Sequence, residues 1–478
     1  MKSTSNSFIK DSISIISSNI FLLLSGVLNG IILPKIMGVT QYGYYKVFSL
    51  YAGYIALLHF GFVDGMLLKY GGMDSSKINI KMLRSITRFF IGLQFFVSFI
   101  IFIISISFLK NIYRYIFCAL SFFIIIYNLQ IYFQYFSQAI MNFKLISKIN
   151  ILQSLLVSSI IVVNWIFFIN NKIVKLYAMH YIALYESVFA IVLIIFLRIY
   201  RRLWLGEVYS YHKIACEIKE LFVIGMPVML SSQIASIILN LDNQIISIFF
   251  SPRVFGIYSF AYSLMMVITT VVSALSVVIF PFLNKKSVNN IMAQYSKNLG
   301  YLLIFIYGAI IVYYPAELFI RWYLPQYTES LLYFRLLLPG IGISSSISIL
   351  IFNYYKVIKK SSLYLFYSVI ILISSTILNI IAYFITKNSY VIAFISLIIL
   401  MSWFFLLNYY LIRKYKVQWK KNTIYLIVMV IIFESVSLID NLYISMLIYI
   451  IFYFVISLVL YKKELVILLG DILNLTCK

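Results

Sequence analysis

The sequence predicts an all-α integral membrane protein of about fourteen transmembrane helices, arranged as two parallel six-helix repeats plus two C-terminal helices. Three observations carry this expectation. Charged residues make up only 11% of the chain, where soluble domains carry roughly a quarter. Apolar residues make up 63% of the 478 positions, and the mean hydropathy is +1.01. These apolar residues gather into stretches of about 20, the length a helix needs to cross about 30 Å of hydrocarbon. Lipid accepts only helices and closed barrels, because every backbone N–H and C=O must be satisfied internally. Segments such as 363–373 and 431–434 lack the alternation of barrel strands, so the spans are helices.

Polar breaks divide the chain into fourteen spans. Spans 1 to 7 lie near 12–37, 44–66, 86–109, 115–137, 147–169, 176–197 and 221–249. Spans 8 to 14 lie near 255–281, 299–320, 335–355, 361–386, 390–412, 422–439 and 442–460. The first is too long for a signal-peptide core and lacks a small-residue cleavage site, so it reads as an uncleaved span. This gives an N-terminal six-helix lobe at 1–198, a cytoplasmic linker at 199–220, a second six-helix lobe at 221–413, and two further helices with a tail at 414–478. No inter-span segment exceeds about 25 residues, which leaves no room for a soluble catalytic domain.

The net charge of +24 raises the question of nucleic acid, and its distribution answers it. Sorting Lys and Arg into alternate inter-span segments puts 28 of 38 on the side of the termini. That side holds Arg84 and Arg88, Lys144 and Lys148, the cluster from Arg413 to Lys421, and the terminal lysines up to Lys478. The bias follows the positive-inside rule and places both termini in the cytoplasm. No nucleic-acid-reading module accompanies the charge, so nucleic acid is not an expected partner. Cys118, Cys216 and Cys477 lie far apart, and His59, His180 and His212 lack metal-ligand spacing; no cofactor or metal is expected.

Two landmarks repeat between the halves. Tyr42-Gly43-Tyr44-Tyr45 after span 1 matches Phe255-Gly256-Ile257-Tyr258 after span 7, and Lys144 and Lys148 match Lys356 and Lys360 at nearly the same offset. Six spans per copy is an even number, so both copies share one orientation and are related by an axis along the membrane normal. Such transporters carry their substrate path between the halves. The prolines are uneven: Pro34 stands in the first half, whereas Pro227, Pro281, Pro315 and Pro339 lie in or near spans 7 to 10, where they kink or end helices.

Three ordered segments carry a family resemblance: Gly38-Val39-Thr40-Gln41-Tyr42-Gly43-Tyr44-Tyr45; Phe60-Gly61-Phe62-Val63-Asp64-Gly65 with Lys69-Tyr70-Gly71-Gly72; and Glu317-Leu318-Phe319-Ile320-Arg321-Trp322-Tyr323-Leu324-Pro325-Gln326-Tyr327. Together with the span count and the repeat, they resemble the O-antigen and polysaccharide flippases of the multidrug/oligosaccharidyl-lipid/polysaccharide exporter superfamily. The resemblance implies movement of a polyprenyl-pyrophosphate-linked oligosaccharide from the cytoplasmic to the periplasmic leaflet. It implies membrane lipids and the polysaccharide polymerase and chain-length machinery as partners, and no enzymatic step.

A pyrophosphate with attached sugars cannot cross bare hydrocarbon, since burying an isolated ion costs on the order of tens of kcal/mol. Cationic and hydrogen-bonding groups are therefore required. Arg84, Arg88, Lys144, Lys148, Lys356 and Lys360, at cytoplasmic span ends, are the candidates for the pyrophosphate; topology signalling and anionic-lipid contact are the plainer reading of each. Gln130, Gln134 and Gln138, beside Tyr127 and Asn142, put amides on one broad face of span 4, either to line a sugar path or to bond neighbouring helices. Asp64, Glu186 and Asp242 are acids inside spans, each needing a partner or water, and Glu186 is the first candidate for proton or cation coupling. Glu434, outside the repeat, reads as structural, and Gly26 with Gly30 reads as a close helix contact. A multidrug cation antiporter, a lipid II flippase and an O-antigen polymerase are the competing readings.

Overall fold

In a computed structural model of the chain, residues 2–72, 79–284 and 288–476 are described. Of the positions named above, Lys478 and Cys477 lie outside the described residues. Helices dominate. In order they are α1 (Lys2–Ala52), α2 (Phe62–Tyr70), α3 (Ile80–Phe108), α4 (Asn111–Ala139), α5 (Phe143–Ile169), α6 (Ala178–Ile199), α7 (Tyr211–Leu239), α8 (Leu241–Phe249) and α9 (Pro252–Asn284). They continue as α10 (Val288–Ala309), α11 (Tyr313–Tyr323), α12 (Ser330–Leu337), α13 (Gly340–Ser345), α14 (Phe352–Val357), α15 (Ser361–Thr386), α16 (Ser389–Tyr415), α17 (Lys420–Val436) and α18 (Leu442–Thr476).

Each expected span has its counterpart, and the departures have local causes. Spans 1 and 2 meet at Gly38, whose φ of 67° and ψ of 168° kink α1; few residues other than glycine accept that backbone. Span 2 then continues through a 3₁₀ turn at Ile55–His59 into α2. Span 7 is α7 plus α8, interrupted at Asn240. Span 10 is bent by 46° between Ser330–Leu337 and Gly340–Val357, at Pro339, and then passes through a π turn at Ser346–Ile351. Among the described residues, ten helices are long and apolar enough to cross a membrane, or eleven with the bent pair. α17 is the shorter of the last two helices, at 17 residues. Asparagines start several helices: Asn79, Asn142 and Asn388 accept hydrogen bonds from the backbone N–H groups of Met82, Leu145 and Tyr390.

Contacts divide the chain into two units, Met1–Gln233 and Ile234–Lys478. In the first unit α1 packs on α5, and α4 packs against α2, α3 and α6. Buried amides and hydroxyls stitch α4 to its neighbours. Asn128 donates to Gln94 at 2.7 Å, Thr87 meets the Tyr132 hydroxyl at 2.7 Å, and Ser137 meets that of Tyr200 at 2.7 Å. In hydrocarbon such side chains have no water to turn to, so they bond across helices. In the second unit, α17 and α18 are held to α10 in the same way. Asn422 donates to the Ser296 carbonyl at 2.8 Å, Tyr461 donates to Asn422 at 2.5 Å, and Tyr449 donates to the Tyr307 carbonyl at 2.7 Å. The outer faces expose large apolar side chains, among them Phe95, Phe96, Phe99, Ile377 and Phe454, which suits a surface bathed in lipid.

The close contact expected at Gly26 is absent: a Cβ there would meet nothing within 4 Å. The backbone contact occurs instead at a second glycine pair of the same spacing, Gly61 and Gly65. A Cβ on Gly65 would fall on the Leu221 backbone, and one on Gly225 would fall on the backbone of Gly61 and Gly65. α2 and the first half of α7 thus touch main chain to main chain.

The proposed sidedness has a direct test. Reporter fusions placed after Lys172 and after Lys387, at the ends of α5 and α15, should read periplasmic, and one after Lys213 should read cytoplasmic. A cytoplasmic signal at Lys172 would refute the topology.

Candidate functional site

The basic residues divide into two groups by what they touch. Arg84 and Arg88, one turn apart on α3, reach over the segment that joins α6 to α7. Arg84 Nε donates to the Arg202 carbonyl at 3.0 Å and Nη1 to that of Glu207 at 2.8 Å; Arg88 Nε donates to the Trp204 carbonyl at 2.9 Å and Nη2 to that of Gly206 at 2.8 Å. An irregular segment leaves carbonyls without backbone partners, and guanidinium forks satisfy them with charge-assisted bonds. Each fork has five N–H donors and keeps others available. Lys81 pairs with Glu207 at 2.8 Å and, through that hydrogen bond, holds the exposed Glu207 carboxyl below its ordinary range. Nearby, Lys69 pairs with Glu217 at 2.7 Å and Glu220 at 2.6 Å, and Tyr70 donates to Glu217 at 2.6 Å. These contacts close the same α2–α7 seam that the glycines open for close approach.

Lys144 and Lys148 differ. Both are exposed on the first two turns of α5 and make no ion pair among the described residues. In the second unit Lys356 lies at the end of α14, its Nζ 3.9 Å from the Phe352 ring centroid, and Lys360 caps α15. The two lysine pairs therefore share an elbow but not a register.

On α4 the glutamines separate by face, because four residues advance a helix by slightly more than one turn. Gln130 is buried and donates to Gln153 of α5 at 2.7 Å, which is the helix-bonding role. Gln134 is half-buried and Gln138 exposed, and they share their side of α4 with Tyr127 and Tyr135. Sequence reading missed Tyr135, three residues before Gln138 on α4.

The three intramembrane acids have three environments. Asp64 Oδ2 is 3.8 Å from His59 Nε2, just after the break in span 2, and His59 Nδ1 accepts from the Gly61 N–H at 3.2 Å. Asp242, 2% exposed, accepts from the Tyr258 hydroxyl at 2.6 Å, from Tyr262, and from the Asn243 N–H at 2.7 Å. Those phenols stand one turn apart on α9, a spacing visible in the sequence once Asp242 is known to need donors. Glu186 is half-buried on α6, and its shielded Oε1 accepts no hydrogen bond among the described residues. An unpartnered carboxyl oxygen inside a membrane helix is costly.

Each unit also holds a cavity. In the first, about 210 Å³ lies between Tyr45, Phe48, Phe123, Tyr127 and Tyr185, an aromatic-walled chamber. The Tyr45 hydroxyl accepts from Asn29 at 3.1 Å, and its ring stands edge-on to Tyr181. In the second, about 380 Å³ is bounded by Asn240, Asp242, Tyr262, Ser344, Ser345 and Ser348, with the π turn forming part of its wall.

The chain is a polytopic helical protein of two units, each with a cavity among its helices. The chain belongs to the polysaccharide biosynthesis protein family, whose model matches residues 8–287. No match is found among curated protein sequences. Among solved structures, the lipid II flippase MurJ in an inward closed conformation superposes with a TM-score of 0.68 at 16% identity, covering 96% of this chain and 100% of that one. An inward-facing multidrug resistance MATE family transporter of the MOP superfamily gives 0.59 at 14% identity, over 84% and 95% of the two chains. A MOP superfamily transporter from Pyrococcus furiosus, described as having a binding pocket of reverse polarity, gives 0.52 at 12%, over 86% and 96%.

Proposed function

We propose that this protein is a flippase that moves polyprenyl-pyrophosphate-linked oligosaccharide repeat units, of O-antigen or capsule type, from the cytoplasmic to the periplasmic leaflet by alternating access. One observation carries the reading: the match to the polysaccharide biosynthesis family over 8–287, on a chain 96% of which superposes on a lipid II flippase. The residues support it chemically. Lys144 and Lys148, uncommitted and exposed at a helix start, are assigned first contact with the pyrophosphate, with Lys356 and Lys360 at the corresponding elbow of the second unit. Arg84 and Arg88 hold the connecting segment in place and offer their remaining N–H groups as secondary donors. Gln134, Gln138, Tyr127 and Tyr135 are assigned to the sugars. Glu186 is the first candidate for coupling, and Asp242, saturated by its phenols, is the second. The polymerase and chain-length machinery of the pathway would receive the product, in an inner membrane with both termini cytoplasmic.

A double Gln134→Leu/Gln138→Leu variant, which keeps side-chain size and removes the amides, should lower surface polysaccharide about tenfold, as expected when hydrogen bonds to the moving sugar are lost. Membrane levels of the protein should not change. Gln130→Leu should instead lower thermal stability, because it orphans Gln153 in the α4–α5 interface. Undiminished polysaccharide in the double variant would count against the sugar path.

A further inference from the structure

The segment from Glu317 to Tyr327 takes no part in that reading, yet it borders a second cavity of about 380 Å³ in the second unit. The end of α11, the following turn with the start of α12, and the turn between α17 and α18 all meet there. Every one of these elements is a helix end, so the cavity opens at a membrane surface and not at its midplane. Trp322, 79% exposed on the last turn of α11, marks the same level, where amphipathic rings collect at the lipid–water boundary.

The charges inside are unevenly satisfied. Arg321 is spent on Glu317, with Nε at 2.9 Å and Nη2 at 2.7 Å from one carboxylate oxygen. Glu329 is committed to Arg253 at 3.6 Å. Arg335 is half-buried and has only a long bond, 3.4 Å from Nη1 to the Ser437 carbonyl; its Nε is shielded from solvent and donates to nothing among the described residues. Asp440, exposed on the opposite turn, makes no ion pair among the described residues. The cavity therefore presents one under-satisfied cation and one uncommitted anion. Its rim is aliphatic: Leu332 and Leu438 line it and are 51% and 66% exposed. A sugar site would be expected to offer aromatic faces, and Tyr313 is the single aromatic ring in the lining.

We infer that this cavity seats the zwitterionic headgroup of a phospholipid of the phosphatidylethanolamine class, with its phosphate on Arg335, its ammonium towards Asp440, and its acyl chains leaving past Leu332 and Leu438. The geometry suits a headgroup because Arg335 offers a planar fork for phosphate oxygens. The carboxylate selects a primary ammonium over glycerol, and the rim is continuous with the hydrocarbon surface. The site is independent of the glycan reading, so either can fail alone.

Native mass spectrometry of the full-length purified protein, with dioleoyl phosphatidylethanolamine, phosphatidylcholine or phosphatidylglycerol added singly, tests it. The wild type should retain phosphatidylethanolamine through delipidation about tenfold more than either other lipid. Arg335→Gln should lose that preference, and so should Asp440→Asn, whose exposed turn position leaves the fold intact. Arg335→Lys, which keeps the charge without the fork, should retain an intermediate amount. Equal retention of the three lipids, or a wild-type preference in Asp440→Asn, would overturn the assignment, as would displacement of the lipid by N-acetylglucosamine.

Discussion

Gly65→Val is expected to remove most of the folded protein. At this position a Cβ would lie on the main chain of Leu221, not on a side chain that can swing aside, and Gly225 approaches Gly61 and Gly65 from the other direction. Relief requires α2 and α7 to separate. That separation strains the Lys69 pairs with Glu217 and Glu220 and the Tyr70–Glu217 hydrogen bond. It also opens the packing of Phe62 against Phe90 and Phe222, whose ring centroids are 5.0 and 5.2 Å away. Overpacking against a rigid neighbour, with partners lost around it, is on the order of 3 kcal/mol or more. The measurement is the melting temperature of detergent-purified protein and its monodisperse fraction by size exclusion. A fall of at least about 5 °C, or loss of the monodisperse peak, is expected for Gly65→Val. Gly26→Val, at an exposed position with nothing within 4 Å of its Cβ, should match the wild type. Equal melting of both variants would mean the α2–α7 seam does not support the fold.

That pair of glycine motifs shows what the sequence carried and what it did not. Gly26–Gly30 and Gly61–Gly65 have the same spacing, and spacing reports only that two small residues share a helix face. Which face meets another backbone depends on the partner, and the partner, Gly225, stands 160 residues further on. The spans themselves were legible, because hydrocarbon imposes length and apolarity segment by segment. Breaks at Gly38 and Pro339 were legible for the same local reason. Interruptions at Asn240 and the π turn at Ser346–Ile351 were not, since neither residue type forces a break.

Within the candidate site, the basic residues could be found from their positions but not sorted. Arg84 and Arg88 stand four apart, as do Lys144 and Lys148, and both pairs sit at span ends. Only the fold shows that the arginines are engaged by the carbonyls of Arg202, Trp204, Gly206 and Glu207 while the lysines remain uncommitted. Likewise, spacing alone grouped Gln130 with Gln134 and Gln138. The drift of 40° per four residues turns Gln130 into the α4–α5 interface, where Gln153 receives it.

The lysines carry the second large effect. Pyrophosphate enters with several negative charges, and each charge-assisted hydrogen bond it makes contributes roughly 1.5–3 kcal/mol, about tenfold or more in rate when it guides the committed step. A Lys144→Ala/Lys148→Ala variant removes two such donors from exposed positions that hold no other partner, so its transport should fall about a hundredfold if both engage the substrate, with unchanged melting temperature. Arg84→Ala/Arg88→Ala should behave differently, lowering melting temperature and transport together, because the segment before α7 loses four carbonyl contacts. The assay that reads this is also the most direct test of the proposed activity. Proteoliposomes are prepared with a polyprenyl-pyrophosphate-linked oligosaccharide in both leaflets and are then exposed to a membrane-impermeant glycosidase. Wild-type protein should make the inner-leaflet pool accessible, protein-free vesicles should protect it, and the double lysine variant should protect nearly all of it. Protection of the inner-leaflet pool by vesicles containing folded wild-type protein would contradict the assignment of this chain as a flippase for lipid-linked glycans.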